Sequence, residues 1–166
     1  MRTLIVYGSK HGATKKVVDM LKEKIAGEVS VMNAKEKIKC DIKSFDVVII
    51  GSSIYIGKIG KEVKRFIRSN LEEILSRKIG LFLVSGGNEE IESYYKKNFP
   101  EELLKKVEAK GYFGFSYNGE GYNAMERMVL KEIAKKAMVK EKFEKKNMDD
   151  FLNSLQINKE TYNEEG

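Results

Sequence analysis

Apolar residues follow two rhythms along this chain, and the alternation between them predicts the fold. Residues 3–8 (TLIVYG) and 46–51 (DVVIIG) are short, β-rich and mostly apolar runs that end at glycine, as strands buried on both faces do. Residues 79–85 repeat the pattern and lead into Gly86 and Gly87. Val29 and Val31 alternate with polar neighbours and predict a shorter strand, and residues 112–117 predict the last one. Between these runs the period becomes helical. Val17, Val18, Leu21 and Ile25 share a stripe that opens after Gly12 and stops at Gly27. Val63, Phe66, Ile67 and Leu71 form a second stripe running towards Ser76. Leu103, Leu104 and Val107 form a third, with its break at Gly111. Pro100 falls at or near a helix start, where its missing N–H costs nothing.

Strands alternating with helices predict a parallel sheet covered on both faces, a three-layer, doubly wound α/β sandwich. The 166 residues suit one domain, placed at residues 1–157, with a polar tail at 158–166 that is expected to fray.

Composition narrows the function classes. The formal net charge of +6 favours an anionic partner, but many lysines sit beside glutamates at helical spacing, the pattern of a solvated helix face. No nucleic-acid partner is expected. Cys40 is the only cysteine and His11 the only histidine, which excludes an intrachain disulfide and a cysteine–histidine zinc cluster. Cys40 itself is read as structural or incidental. The apolar run at the N-terminus is too short for a signal peptide or a membrane span, so a cytoplasmic location is expected.

In an open parallel sheet, ligands bind beyond the carboxyl ends of the strands, where the strand order reverses. Three predicted strand ends carry small polar residues: Gly8-Ser9-Lys10-His11-Gly12-Ala13-Thr14, Gly51-Ser52-Ser53-Ile54-Tyr55-Ile56-Gly57, and Ser85-Gly86-Gly87-Asn88-Glu89. Together, at one sheet edge, they predict a pocket. The first opens a helix, so its backbone N–H groups, the Ser9 and Thr14 hydroxyls and Lys10 form a candidate anion site, while Gly12 leaves room for close approach. A plain capped turn is the alternative reading. Neither the P-loop spacing nor a Gly-x-Gly-x-x-Gly fingerprint occurs there. A phospho-receiver site needs carboxylates where Gly8-Ser9 and Gly51-Ser52 stand.

The stretch from Thr3 to Thr14 resembles the flavodoxin phosphate loop, Ser/Thr-x-Ser/Thr-Gly-x-Thr, through Ser9, Gly12 and Thr14; His11 replaces the usual middle hydroxyl residue. That resemblance implies strand order 2-1-3-4-5 and flavin mononucleotide, FMN, as cofactor. It implies a phosphate held by Ser9, Lys10, His11, Gly12, Ala13 and Thr14. The second loop (Ser52, Ser53, Ile54, Tyr55, Ile56, Gly57) would place Tyr55 against the flavin ring. The third (Ser85, Gly86, Gly87, Asn88) would line its other edge. Tyr94 is the candidate for the opposite ring face, with Tyr95 competing for it. His11 has two readings, a contact to the phosphate or a solvated loop histidine.

The order Gly-x-Ser-Ile-x-x-Gly in the second loop is similar to that of flavodoxin-type, quinone-linked protoporphyrinogen dehydrogenases. So is the aromatic, basic and Met-rich segment after the fifth strand, followed by a short helix around Asp149, Asp150 and Phe151. The resemblance implies an FMN-dependent oxidoreductase or electron carrier whose partner is a redox protein or a quinone. A flavodoxin-fold interaction protein lacking cofactor is the rival class. If lysines lie near the ring, the fully reduced flavin would form at a less negative potential than in an acidic flavodoxin.

The segment 122–146 places Tyr122, Met125, Val129, Ile133, Ala137 and Met138 on roughly one helix face, beside Arg127, Lys131, Lys135 and Lys136. It predicts a helix packed on the sheet, or a basic amphipathic surface that contacts a membrane, a quinone or an acidic partner.

Overall fold

The computed structural model describes residues 1–37, 39–86, 90–116, 122–137 and 141–164. Five parallel strands, β1 (Arg2–Gly8), β2 (Glu28–Asn33), β3 (Val47–Ser53), β4 (Lys78–Val84) and β5 (Ala109–Tyr112), form one sheet in the order β2-β1-β3-β4-β5. This is the flavodoxin-like order expected from the sequence. Strand direction alternates side chains between faces, so each apolar run feeds two cores. Leu4 and Val6 join Val48, Ile50, Leu81 and Leu83 on one face; Ile5 and Tyr7 join Val47, Ile49, Phe82 and Val84 on the other.

Helices cover both faces. On the first lie α2 (Lys61–Leu75), α3 (Ile91–Asn98) and α4 (Glu101–Lys106), which bury Val63, Phe66, Ile67, Ile74, Tyr95 and Leu103, with Phe99 buried between α3 and α4. On the second lie α1 (Ala13–Lys24) and α6 (Lys145–Ser154), which bury Val17, Val18, Leu21, Met148, Phe151 and Leu152. Cys40 packs against the first core, where burial pushes its thiol above the usual range. A thiol so placed is held away from the reactive thiolate form.

Several expectations change. β3 does not end at Gly51 but continues to Ser53. Gly51 pairs in register with Phe82, and a Cβ there would fall inside the Phe82 ring, so this glycine serves packing and not a turn. The last strand of the sheet is residues 109–112, earlier than the expected 112–117. Gly111 lies inside it, and the preceding helix has already ended at Lys106 with Val107 extended. An edge strand with the pattern Ala-Lys-Gly-Tyr carries too few apolar residues to show as a run. Phe113 then turns into the second core, and Gly114, at φ +88°, starts β6 (Gly114–Ser116).

The late segment is also not one long helix. It holds α5 (Ala124–Ala137) and then β7 (Glu141–Phe143), which pairs antiparallel with β6. Met125 and Val129 of the expected stripe do not pack α5 on the sheet, because they are 75% and 54% exposed. Met138 and the side chains of Ile133 and Ala137, also placed on that stripe, lie outside what the structure describes. The expected tail begins with ordered contacts. Ile157 and Asn158 are buried, Asn158 bridges to Ile25, and α7 (Lys159–Glu164) follows.

Candidate functional site

The chain passes from β1 out to β2, then back across β1 to β3, so the order reverses between β1 and β3. At the carboxyl ends of these strands and of β4 the three loops converge on a cavity of about 650 Å³. Ser9, Lys10, His11 and Ala13 line it from the first loop, residues 53–57 from the second, and Ser85 and Gly86 from the third. Tyr94, on α3, adds a further wall. Gly87 and Asn88 lie outside the described residues.

The first loop is shaped by Gly12, whose φ of +90° puts it in the left-handed region that favours glycine. A Cβ there would meet nothing within 4 Å, so conformation and not crowding calls for glycine, and the space beside it is open. Ser9 Oγ accepts from the Gly12 N–H at 3.0 Å and fixes the turn into α1. Thr14, in the first turn of α1, is fully buried, and its Oγ1 makes no hydrogen bond among the described residues. A buried hydroxyl without a partner costs about 1–3 kcal/mol, a cost a bound acceptor would remove.

Ser52 and Thr14 do not line the cavity directly. Ser52 Oγ donates to the Ser53 carbonyl at 2.9 Å and accepts from the Gly60 N–H at 3.0 Å, tying β3 to the start of α2. Between them the chain makes a tight turn in which Tyr55 and Lys58 exchange both backbone hydrogen bonds, at 2.9 and 3.1 Å. Its central residues, Ile56 (φ +49°) and Gly57 (φ +71°), both have positive φ, as a two-residue hairpin of this hand requires. Ile56 is β-branched, disfavours that conformation, and is 82% exposed. Asn98 secures the turn from α3: Oδ1 accepts from the Ile59 N–H at 3.1 Å, and Nδ2 donates to the Gly57 and Tyr94 carbonyls.

The two tyrosines that competed in the sequence separate cleanly. Tyr94 faces the cavity and donates to Glu90 Oε2 at 3.0 Å, a bond that, with burial, raises its phenol pKa. Tyr95 is a core residue, donating to the Leu81 and Gly111 carbonyls at 3.1 and 2.6 Å. Tyr55 is half exposed, with the Lys10 ammonium 3.6 Å from its ring centroid.

The remaining wall was not foreseen. Phe115 and Ser116 of β6, and Tyr122, Met125, Glu126, Val129 and Leu130 at or on α5, also line the cavity. Tyr122 stacks on His11, so His11 is covered and not a solvated loop residue. The sequence did contain a signal for the start of α5. Asn123 and Glu126 have capping-box spacing, and the Glu126 N–H donates to Asn123 Oδ1 at 2.8 Å. That spacing marks a helix start but not what the helix covers. Among the described lining residues Lys10 and Glu126 are the lysine and the carboxylate, and they meet at 3.3 Å with His11 beside them.

Among the described residues no helix is long and apolar enough to cross a membrane. The family model described as flavodoxin domain matches residues 4–156. The flavodoxin-like domain-containing protein BilS of Clostridioides difficile (strain CD3) is 27% identical over 111 residues, 66% of this chain and 57% of that protein. The match thus spans just over half the length of that curated relative. A crystal structure of a flavoprotein in complex with FMN from Lactobacillus acidophilus NCFM has a TM-score of 0.50 at 15% identity, covering 69% of this chain and 91% of that one. A short-chain flavodoxin associated with a non-canonical PDU bacterial microcompartment has a TM-score of 0.57 at 12% identity, covering 93% and 96%. At such identities the two structures speak for the fold.

Proposed function

From the chain's membership of the flavodoxin domain family, we propose that it binds FMN in the cavity at the strand ends and serves as an electron-transfer protein or oxidoreductase. The observation that carries this reading is the buried, unpartnered Thr14 hydroxyl in the first turn of α1, at the loop that has the family's phosphate-binding spacing. Helix N-termini leave backbone N–H groups without intrahelical partners, and these suit an anion. Ser9, Gly12 and Thr14 would hold the phosphate. Tyr55 and Tyr94 supply flat aromatic surface for a planar ring, and Ser53, Ile54, Ser85 and Gly86 would border it. When bound, FMN supplies one- and two-electron redox chemistry, and the residues around it supply position and shielding from water.

The sequence resemblance to quinone-linked protoporphyrinogen dehydrogenases gives a narrower reading. Its support here is the apolar wall of Met125, Val129 and Leu130, which offers an apolar partner a surface beside the cavity. Exposed Met125, Met128 and Val129 alternate with exposed Arg127 and Lys131, the makeup of a helix that rests on an acidic membrane surface.

Absorbance spectra with and without added FMN test the cofactor, on the wild type and a Ser9→Ala, Thr14→Ala double variant. A flavin spectrum that the variant loses is expected. No uptake by the wild type at high FMN would overturn the redox reading and leave an interaction protein of the same fold. With FMN bound, protoporphyrinogen turnover with a soluble quinone separates the dehydrogenase from a carrier.

A further inference from the structure

At the polar end of the cavity, the counter-charge for the first loop comes from a distant part of the chain. Glu126, in the first turn of α5, has a side chain only 14% exposed. Its Oε1 lies 3.3 Å from Lys10 Nζ, and its Oε2 is 3.2 Å from His11 Nε2. Asn123 holds the carboxylate in place, donating from Nδ2 to Oε1 at 3.0 Å while its own Oδ1 caps the Glu126 N–H. A carboxylate in a first helical turn can remain in water at no cost, but this one is withdrawn from water and aimed at the two basic residues of the loop.

Resting on the reading of that loop as a phosphate site, we propose that Glu126 is a specificity residue, a built-in competitor for the phosphate of the ligand. Lys10 and His11 already face an anion before any ligand arrives. A phosphate entering between Ser9 and Thr14 meets the Glu126 carboxylate at the same two side chains, and like charges that close oppose each other. The loop then holds phosphate through hydroxyl and amide donors, with little net help from its basic residues. The carboxylate thereby lowers the preference for a phosphorylated flavin over its unphosphorylated counterpart.

Glu126→Gln keeps the size and the acceptor oxygen but removes the charge, whereas Glu126→Asp keeps the charge. FMN and riboflavin affinities, read from quenching of flavin fluorescence, give the preference for phosphate in each protein. The ratio of FMN to riboflavin affinity is expected to rise about tenfold in Glu126→Gln and to stay near wild type in Glu126→Asp. An unchanged ratio with both flavins bound would overturn the proposal. A second arm needs no flavin. His11 is the only histidine, so its imidazole C–H signals stand alone in a proton NMR spectrum. Titration with inorganic phosphate should shift them at lower concentration in Glu126→Gln than in the wild type. Identical titrations would overturn the competitor role. If no protein binds either flavin, the FMN reading fails and the phosphate titration decides this proposal by itself.

Discussion

The imidazole of His11 lies flat against the phenol ring of Tyr122, with centroids 3.6 Å apart and planes inclined by 25°. This stack joins the loop after the first strand to the segment that enters α5. It fixes the far wall of the cavity through a contact that neither residue's local sequence announces. Replacing Tyr122 by Ala removes the stacked ring, a contact of about 0.5–1.5 kcal/mol. The His11 ring-proton signals should then move downfield as the shielding of the phenol is lost. Unchanged signals would mean that the two rings do not stack in solution.

The turn at Ile56 is a place where the sequence works against its own backbone. A β-branched residue at φ +49° carries a left-handed penalty of about 1–2 kcal/mol, and the side chain is exposed, so little packing offsets it. Ile56→Asn, a residue suited to this turn position, is expected to stabilise the protein by about 1 kcal/mol. The midpoint of urea unfolding should rise. A lower midpoint would show that Ile56 makes a contact worth more than the strain.

Asn98 is the joint between α3 and the Tyr55 turn. Its replacement by Ala would leave the buried Ile59 N–H without its acceptor and the Gly57 carbonyl without its donor. A loss of about 2–3 kcal/mol is expected in urea unfolding. Flavin binding, on the reading given above, should weaken as well because Tyr55 loses its support. A variant as stable as the wild type would place the hold on this turn elsewhere.

Tyr95 gives a pH dependence of definite sign. Burial pushes its phenol far above the ordinary value, with the hydrogen bond to Gly111 opposing that shift. Above about pH 10 the phenol ionises in the unfolded chain while it stays neutral in the fold, so stability falls as pH rises. Tyr95→Phe lacks this loss but leaves two buried carbonyls without the hydroxyl donor. It should be about 1 kcal/mol less stable than the wild type at pH 7, and the gap should narrow above pH 10. Urea midpoints from pH 7 to pH 11 measure both, and a gap constant over that range would show that the phenol does not resist ionisation.

The sequence by itself determined the layers, the parallel strands and the three loops of small residues at their carboxyl ends. Two-sided burial writes Leu4 to Tyr7 and Val47 to Ile50 as unbroken apolar runs, and helix packing writes a 3.6-residue stripe, so both can be read locally. Where burial is one-sided or long-range, local reading fails. The edge strand at Ala109–Tyr112 shows no run, and Gly51 looks like a turn residue until its register with Phe82 is known. Tyr94 and Tyr95 are equivalent in sequence, and only their positions on α3 send one to the cavity and the other to the core. The tertiary structure alone decided what covers the site. Glu126 and Tyr122, which meet Lys10 and His11, stand more than a hundred residues away, on or just before an element whose own pattern fits a surface helix as well as a wall. Contacts between charged and aromatic side chains at such separation leave no periodic trace, because they fix two points in space and not a face of either element.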